Sequence, residues 1–142
     1  MKAVFPLRIA SALAFIHAVL HTIGGVFGKT PPGAATMVLR TMQANPFTIM
    51  GVTRTYFQFL RGMGLGVTIS LTAESIVFWQ LGSLARTAAP QLRPIFATFL
   101  VAYLAFAVNS YFYFFSAPAI TEALISACFA WAITAAKPGA VA

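Results

Sequence analysis

Four runs of about 20 mostly apolar residues divide this chain, and each is long enough to cross a hydrocarbon layer of roughly 30 Å as an α-helix. They cover about residues 5–27, 56–85, 94–115 and 117–136. Inside lipid the backbone has no water to bond, so such a run closes its own hydrogen bonds as a helix. Only 8% of the residues are charged and 60% are hydrophobic, whereas a soluble domain carries about 25% charge. The links at 86–93 and 116–118 are short, and short links make neighbouring helices antiparallel. The expectation is therefore an all-α, membrane-spanning antiparallel four-helix bundle, one domain over residues 1–142.

The first run follows Lys2 and Arg8, as a secretory leader would. Its apolar stretch outlasts leader length and contains His17 and His21, so it reads as a retained span. The long connector 28–55 opens with Lys29-Thr30-Pro31-Pro32-Gly33 and later holds Asn45-Pro46, both helix-breaking sequences. Between them, 35–42 suits a short interfacial helix.

The net charge of +7 raises nucleic acid as a partner, but that requires Lys and Arg gathered into a patch. Here Lys2, Arg8, Lys29, Arg40, Arg54, Arg86, Arg93 and Lys137 are scattered at the ends of apolar runs, as anchors at lipid headgroups are. No nucleic-acid partner is expected. With four crossings the termini share a side with Lys2, Arg8, Arg86, Arg93 and Lys137, against Lys29, Arg40 and Arg54 opposite. The positive-inside rule then puts the termini in the cytoplasm.

Helical periodicity sorts the faces. Ala10, Ala14, His17, His21, Gly24 and Gly28 share one stripe of the first helix, while Phe15, Val19 and Val26 point away, toward lipid. Thr98, Ala102, Ala105, Asn109, Tyr113 and Ser116 share a face of the third, which turns Asn109 inward. In the second helix Gly62 and Gly66, with Ser70 and Ala73, give a small-residue stripe that with Gly24 suits close helix packing. By rise and direction, His21, Arg61, Asn109 and Glu122 fall near one depth, with His17 near the midplane. A charge in hydrocarbon costs several kcal/mol and seeks a partner, so Glu122 is expected to meet Arg61 or His21. Glu74 stands apart from Arg61 by about 20 Å and roughly 140° of helix. It is expected to carry a proton or to reach water beside Trp79 and Gln80.

Chemistry is sparse in this set. His17 and His21 lie on one helix face at a metal-compatible spacing, but a third ligand such as Glu122 must come from elsewhere. Two interior histidines bonded across the bundle are the simpler reading, and no metal is expected. The same placement prevents the pair from clamping a haem from both sides. Gly28-Lys29-Thr30 lacks the leading glycine of a phosphate-binding loop, with Ile23 in its place. Cys128 is the single cysteine, so neither an internal disulfide nor paired-cysteine redox chemistry is available. These residues specify no particular cofactor. Tyr56-Phe57-Gln58-Phe59 and 111–115 gather aromatic rings at one membrane edge. There they serve as an interfacial belt, or line a pocket for a flat or lipidic molecule with Arg61 at its headgroup.

Residues 51–66, above all Thr53-Arg54-Thr55-Tyr56 followed by Phe59 and Gly62, resemble a family of small bacterial four-helix integral membrane proteins. Residues 17–25, 79–86, Leu92-Arg93-Pro94 and 109–118 extend the resemblance over most of the chain. It implies a bacterial cytoplasmic membrane and the same bundle, and supplies no established activity. A more distant likeness in architecture is to DoxX-like proteins, some of which are accessory subunits of quinone-linked oxidoreductases.

The sequence supports two function classes. The first is a non-catalytic membrane protein, an accessory subunit or a binder of lipid or quinone, working as a homo-oligomer or with a membrane partner subunit. The second is a membrane-embedded enzyme acting on an apolar substrate through His21, Arg61 and Glu122. Transport is weaker, since four helices enclose little volume and no broken helix pair or inverted repeat is seen.

Overall fold

A computed structural model describes residues 2–136; Lys137, grouped with the termini in the charge count, lies outside them. About 80% of the chain is helical. The elements are α1 (Val4–Leu20) continued by a π-helical turn (His21–Val26), α2 (Ala34–Ala44), β1 (Pro46–Ile49), β2 (Val52–Thr55), α3 (Tyr56–Ala88), α4 (Arg93–Tyr113) and α5 (Ser116–Ala135). Four spans, Val4–Val26, Tyr56–Ala88, Arg93–Tyr113 and Ser116–Ala135, are long and apolar enough to cross a membrane. They match the four runs in the sequence to within a few residues. The fifth helix, α2, is the short connector helix expected at 35–42.

Contacts divide the chain into two compact units, Met1–His17 with Leu71–Ala142, and Ala18–Ser70. The first contains the apolar core. Leu7, Ala10 and Ala14 of α1, Phe78 and Leu81 of α3, Phe96 and Tyr103 of α4, and Ile125, Phe129 and Ala132 of α5 are buried together. The Phe129 ring lies 4.8 Å from Phe78 and 5.3 Å from Phe99, centre to centre. Such aromatic pairs add about 0.5–1.5 kcal/mol each beyond the area they bury. Pro94 sits in the first turn of α4, where a missing N–H costs nothing. The α4 and α5 helices form a hairpin in which the Ser126 hydroxyl donates to the Leu100 carbonyl at 3.2 Å.

The face of α4 that packs is not the one its small residues suggest. Phe96, Tyr103, Ala107 and Ser110 are buried, while Thr98, Ala105, Asn109, Tyr113 and Ser116 are exposed. Ring volume decides this outcome. Phe96, Phe99 and Tyr103 fill the space left by Phe78 and Phe129, and the small residues of the packed side are Ala107 and Ser110.

The second unit holds the π-helical turn, α2, the strands and the first turns of α3. A π-helical turn takes one residue more than an α-turn, so the residues beyond it are rotated by about 100°. Val26, expected to face lipid, accordingly turns toward Gly64: a Cβ there would meet Val26 Cγ2 at 3.1 Å. Gly24 and Gly28, expected on the packed stripe, are exposed. Gly28 is required for another reason, because a Cβ on it would fall 2.0 Å from the Gly24 carbonyl oxygen.

The connector also forms a two-stranded antiparallel hairpin, which the all-α expectation omits. Phe47 pairs with Arg54 and Ile49 with Val52. Met50 and Gly51 at its tip have φ of 51° and 79°, the left-handed pair of a type I′ turn that matches strand twist. Gly51 adopts this freely; Met50 is the rarer occupant. Thr55 and Gln58 then start α3 with a reciprocal capping box, Thr55 N–H to Gln58 Oε1 at 2.9 Å and Gln58 N–H to Thr55 Oγ1 at 3.2 Å.

Candidate functional site

The polar residues singled out by the sequence fall into both units. His17, Asn109 and Glu122 belong to the first, His21 and Arg61 to the second. In the first unit Glu122 is buried, 9% exposed, on the inner side of α5. Its neighbour is the Ser110 hydroxyl of α4, and its Oε2 has no hydrogen-bond partner. Asn109 is one residue from Ser110 but faces outward, on a surface groove with Val101, Leu104, Ala105, Val108 and Phe112. The expected inward Asn109 beside Glu122 is therefore corrected: the helix turns one residue in and its neighbour out. His17 is half-buried.

Glu74 has a partner that the sequence alone did not supply. The Tyr103 hydroxyl of α4 donates to Glu74 Oε2, and Tyr103 itself is 1% exposed. A phenol buried to that degree needs a partner for its O–H, and a carboxyl oxygen on the facing helix provides one. Glu74 is half-buried beside this phenol. Trp79 carries the Arg8 guanidinium, 3.4 Å above its ring, which also donates to Ser83 Oγ at 2.9 Å. Gly82 leaves room for this side chain, since a Cβ there would lie 3.3 Å from Arg8 Nε. Ser11 and Ser75 add a further polar contact in this unit, each hydroxyl donating to the other's carbonyl at 2.8 and 3.0 Å.

In the second unit His21 Nε2 lies 3.0 Å from the Gly64 carbonyl oxygen, so that nitrogen carries the proton and donates. The Thr22 and Thr68 hydroxyls meet at 2.9 Å. Arg61 is exposed and lies over two rings, 4.7 Å from Phe27 and 5.8 Å from Phe57, a favourable placement for a cation on an aromatic face. Each of the three ionisable groups expected to meet, Glu122, His21 and Arg61, thus has a neighbour inside its own unit. Gly24, Gly62 and Gly66 have open space where a side chain would stand, and the close approach falls on Gly64 instead. Gly64 carried no distinguishing signal in a segment with glycine at every second position from 62 to 66.

No protein family, curated protein or solved structure matches this chain. The chemistry must be read from the residues themselves. Among the described residues no group of three His, Cys, Asp or Glu side chains is placed to hold a metal ion. Two arrangements remain: the half-buried Glu74 with the buried Tyr103, Ser110 and Glu122 of the first unit, and the exposed cations and rings of the second. The first arrangement holds helices together through hydrogen bonds. The second presents Lys29, Arg40, Arg54 and Arg61 with no acidic residue anywhere in Ala18–Ser70, because Glu74 and Glu122 are the only acids of the chain.

Proposed function

We propose that this chain is an integral protein of the bacterial cytoplasmic membrane, an antiparallel four-helix bundle with cytoplasmic termini, which acts without catalysis as an accessory subunit or as a binder of a lipid or quinone. One observation carries the reading. Polar groups within the apolar spans are engaged structurally at three places, Glu74 by Tyr103, Ser11 by Ser75 and His21 by the Gly64 carbonyl. Large apolar side chains such as Phe15, Ile69, Ile76, Val101 and Phe106 meanwhile point outward. Outward apolar sides of this extent suit contact with acyl chains. Partners of the protein are then the bilayer, a lipidic ligand, and a second copy or a membrane subunit.

The test is purification in a mild detergent followed by native mass spectrometry, an absorption spectrum and metal analysis of the same sample. A retained lipid or quinone, or a co-purifying subunit, is the expected result. A bare monomer under every gentle condition refutes it, and so does a chain that stays in solution without detergent.

A second reading rests on Glu122. Its buried Oε2 lacks a hydrogen-bond partner, which is the state of a carboxyl available to shuttle a proton for an apolar substrate. Alanine replacements of His21, Arg61 and Glu122 separate the two readings. Stable variants with a lost cellular phenotype favour the enzyme, and unfolded ones favour structure.

A further inference from the structure

The second unit carries a feature that the buried polar contacts leave unused. Arg54, Gln58, Phe59, Gly62 and Met63 line an open groove of about 610 Å³, a volume in the range of small-molecule sites. Its two ends differ chemically. Arg54 and Gln58 form a polar rim at the end of β2 and the first turn of α3. Phe59, Gly62 and Met63 form an apolar floor that continues along α3 to Gly66, where nothing approaches within 4 Å of the missing side chains. Phe59 and Met63 are 55% and 60% exposed. From Gln58 to Gly66 the helix rises about 12 Å.

We infer that this groove holds one anionic phospholipid, with its phosphate on Arg54 and Gln58 and an acyl chain along Phe59, Met63 and the open glycine side of α3. The inference rests on the membrane reading above and names the ligand and its seat. Charge complementarity fixes the occupant's sign: Arg54 is the one ionisable residue that lines the groove, and Ala18–Ser70 contains no acid to oppose it. The apolar floor fixes its class, since a soluble anion gains nothing from Phe59 or Met63 while an acyl chain covers both. The rim is built in advance. The capping box holds Gln58 against Thr55, and the Arg54 guanidinium spends one N–H on the Thr53 carbonyl at 2.8 Å while its fork carries five donors in all. The hairpin supports the floor from behind, with Phe47 packed 5.8 Å from Phe59 and 4.9 Å from Tyr56. The exposed Ile49, Met50 and Val52 at the hairpin tip, Met50 at 97%, rest on the same lipid surface.

The experiment places the full-length protein in bilayer discs of equal parts phosphatidylglycerol and phosphatidylcholine and identifies the lipid retained by native mass spectrometry. Retention of phosphatidylglycerol over phosphatidylcholine is expected. Arg54→Gln lowers that preference about fivefold, which corresponds to about 1 kcal/mol for one cation at an anionic surface. Gln58→Glu keeps the capping box, because glutamate serves there as well, yet sets a negative charge on the rim and lowers the preference at least as far. Arg54→Lys keeps it. Arg40→Gln removes an equal charge from α2, outside the groove, and leaves the preference intact. Equal retention of the two lipids overturns the inference while leaving the membrane reading standing, as does an Arg40→Gln loss as large as that of Arg54→Gln. Displacement by inorganic phosphate, with chloride of matched ionic strength as control, reassigns the rim to a soluble anion and likewise overturns it. A protein that never enters the discs overturns both.

Discussion

Replacing Tyr103 with phenylalanine isolates one hydroxyl in the centre of the first unit. The ring stays, so its packing against Phe78 at 5.7 Å and Phe106 at 5.8 Å is retained, and only the bond to Glu74 is lost. In water, stranding a buried acceptor costs about 1–3 kcal/mol. Between membrane helices the measured coupling is smaller, on average about 0.6 and at most about 1.7 kcal/mol, because the partners find substitutes in the unfolded state. Tyr103 is 1% exposed and Glu74 half-buried, so Glu74 can turn toward the surface when abandoned, and the lower range applies. We expect Tyr103→Phe to destabilise by about 0.6–1.7 kcal/mol, and Tyr103→Ala by about 3–5 kcal/mol through the lost ring. Cys128 provides the assay. It is buried and is the only thiol in the chain, so a thiol-reactive fluorophore lights up as the fold opens in detergent. A cycle with Glu74→Ala and the double variant should return a coupling in the same range of about 0.6–1.7 kcal/mol. Additive single effects, with zero coupling, would show that the hydroxyl and the carboxyl do not meet.

The same geometry leads to four further outcomes. Phe129→Ala, at a ring 0% exposed among Phe78, Phe96 and Phe99, should cost about 3–5 kcal/mol in the same thiol-labelling assay, and Phe129→Leu under half of that. Gly28→Ala should perturb the chain after the π-helical turn, since its Cβ would fall 2.0 Å from a carbonyl oxygen, whereas Gly24→Ala, in open space, should change stability by less than about 1 kcal/mol; limited proteolysis of the connector distinguishes the two, and equal behaviour contradicts the geometry. Asn109→Leu, on an exposed side of α4, should be neutral to within about 0.5 kcal/mol, and a large loss would restore Asn109 to an interior layer. Ser11→Ala and Ser75→Ala should each cost about 0.6 kcal/mol, and their effects should add, because each removes its own hydroxyl-to-carbonyl bond and the two hydroxyls share only an approach of 3.5 Å.

The spans were legible because length and apolarity alone define them, and no tertiary contact is needed to count about 20 greasy residues. Which side of each helix turns inward was legible only where a single rule applied. Ala10 and Ala14 are buried as expected and Phe15 and Val19 exposed, since α1 winds regularly through them. Beyond His21 the same rule misplaces Gly24, Val26 and Gly28, because nothing in His21-Thr22-Ile23-Gly24-Gly25-Val26 announces an added residue per turn. On α4 the rule that small residues pack inward was outweighed by ring volume, which is a property of Phe78 and Phe129 on other helices and invisible in 94–115 itself. Glu74 was recognisable as needing a partner, but Tyr103 could not be chosen without knowing how α3 and α4 abut. The hairpin had one readable sign, a glycine at 51 between Phe47-x-Ile49 and Val52, which the stronger break at Asn45-Pro46 obscured.

The loosened winding at His21–Val26 has a consequence for how this part of the chain tolerates change. Deleting a single amino acid there would let ordinary winding resume and swing everything downstream around the axis by the missing step, returning Gly24 and Gly28 to a common stripe with His21 and sending Val26 outward. Length variation at this spot therefore works like a dial, resetting the angular aim of the lower end of the first span without altering the rungs above it.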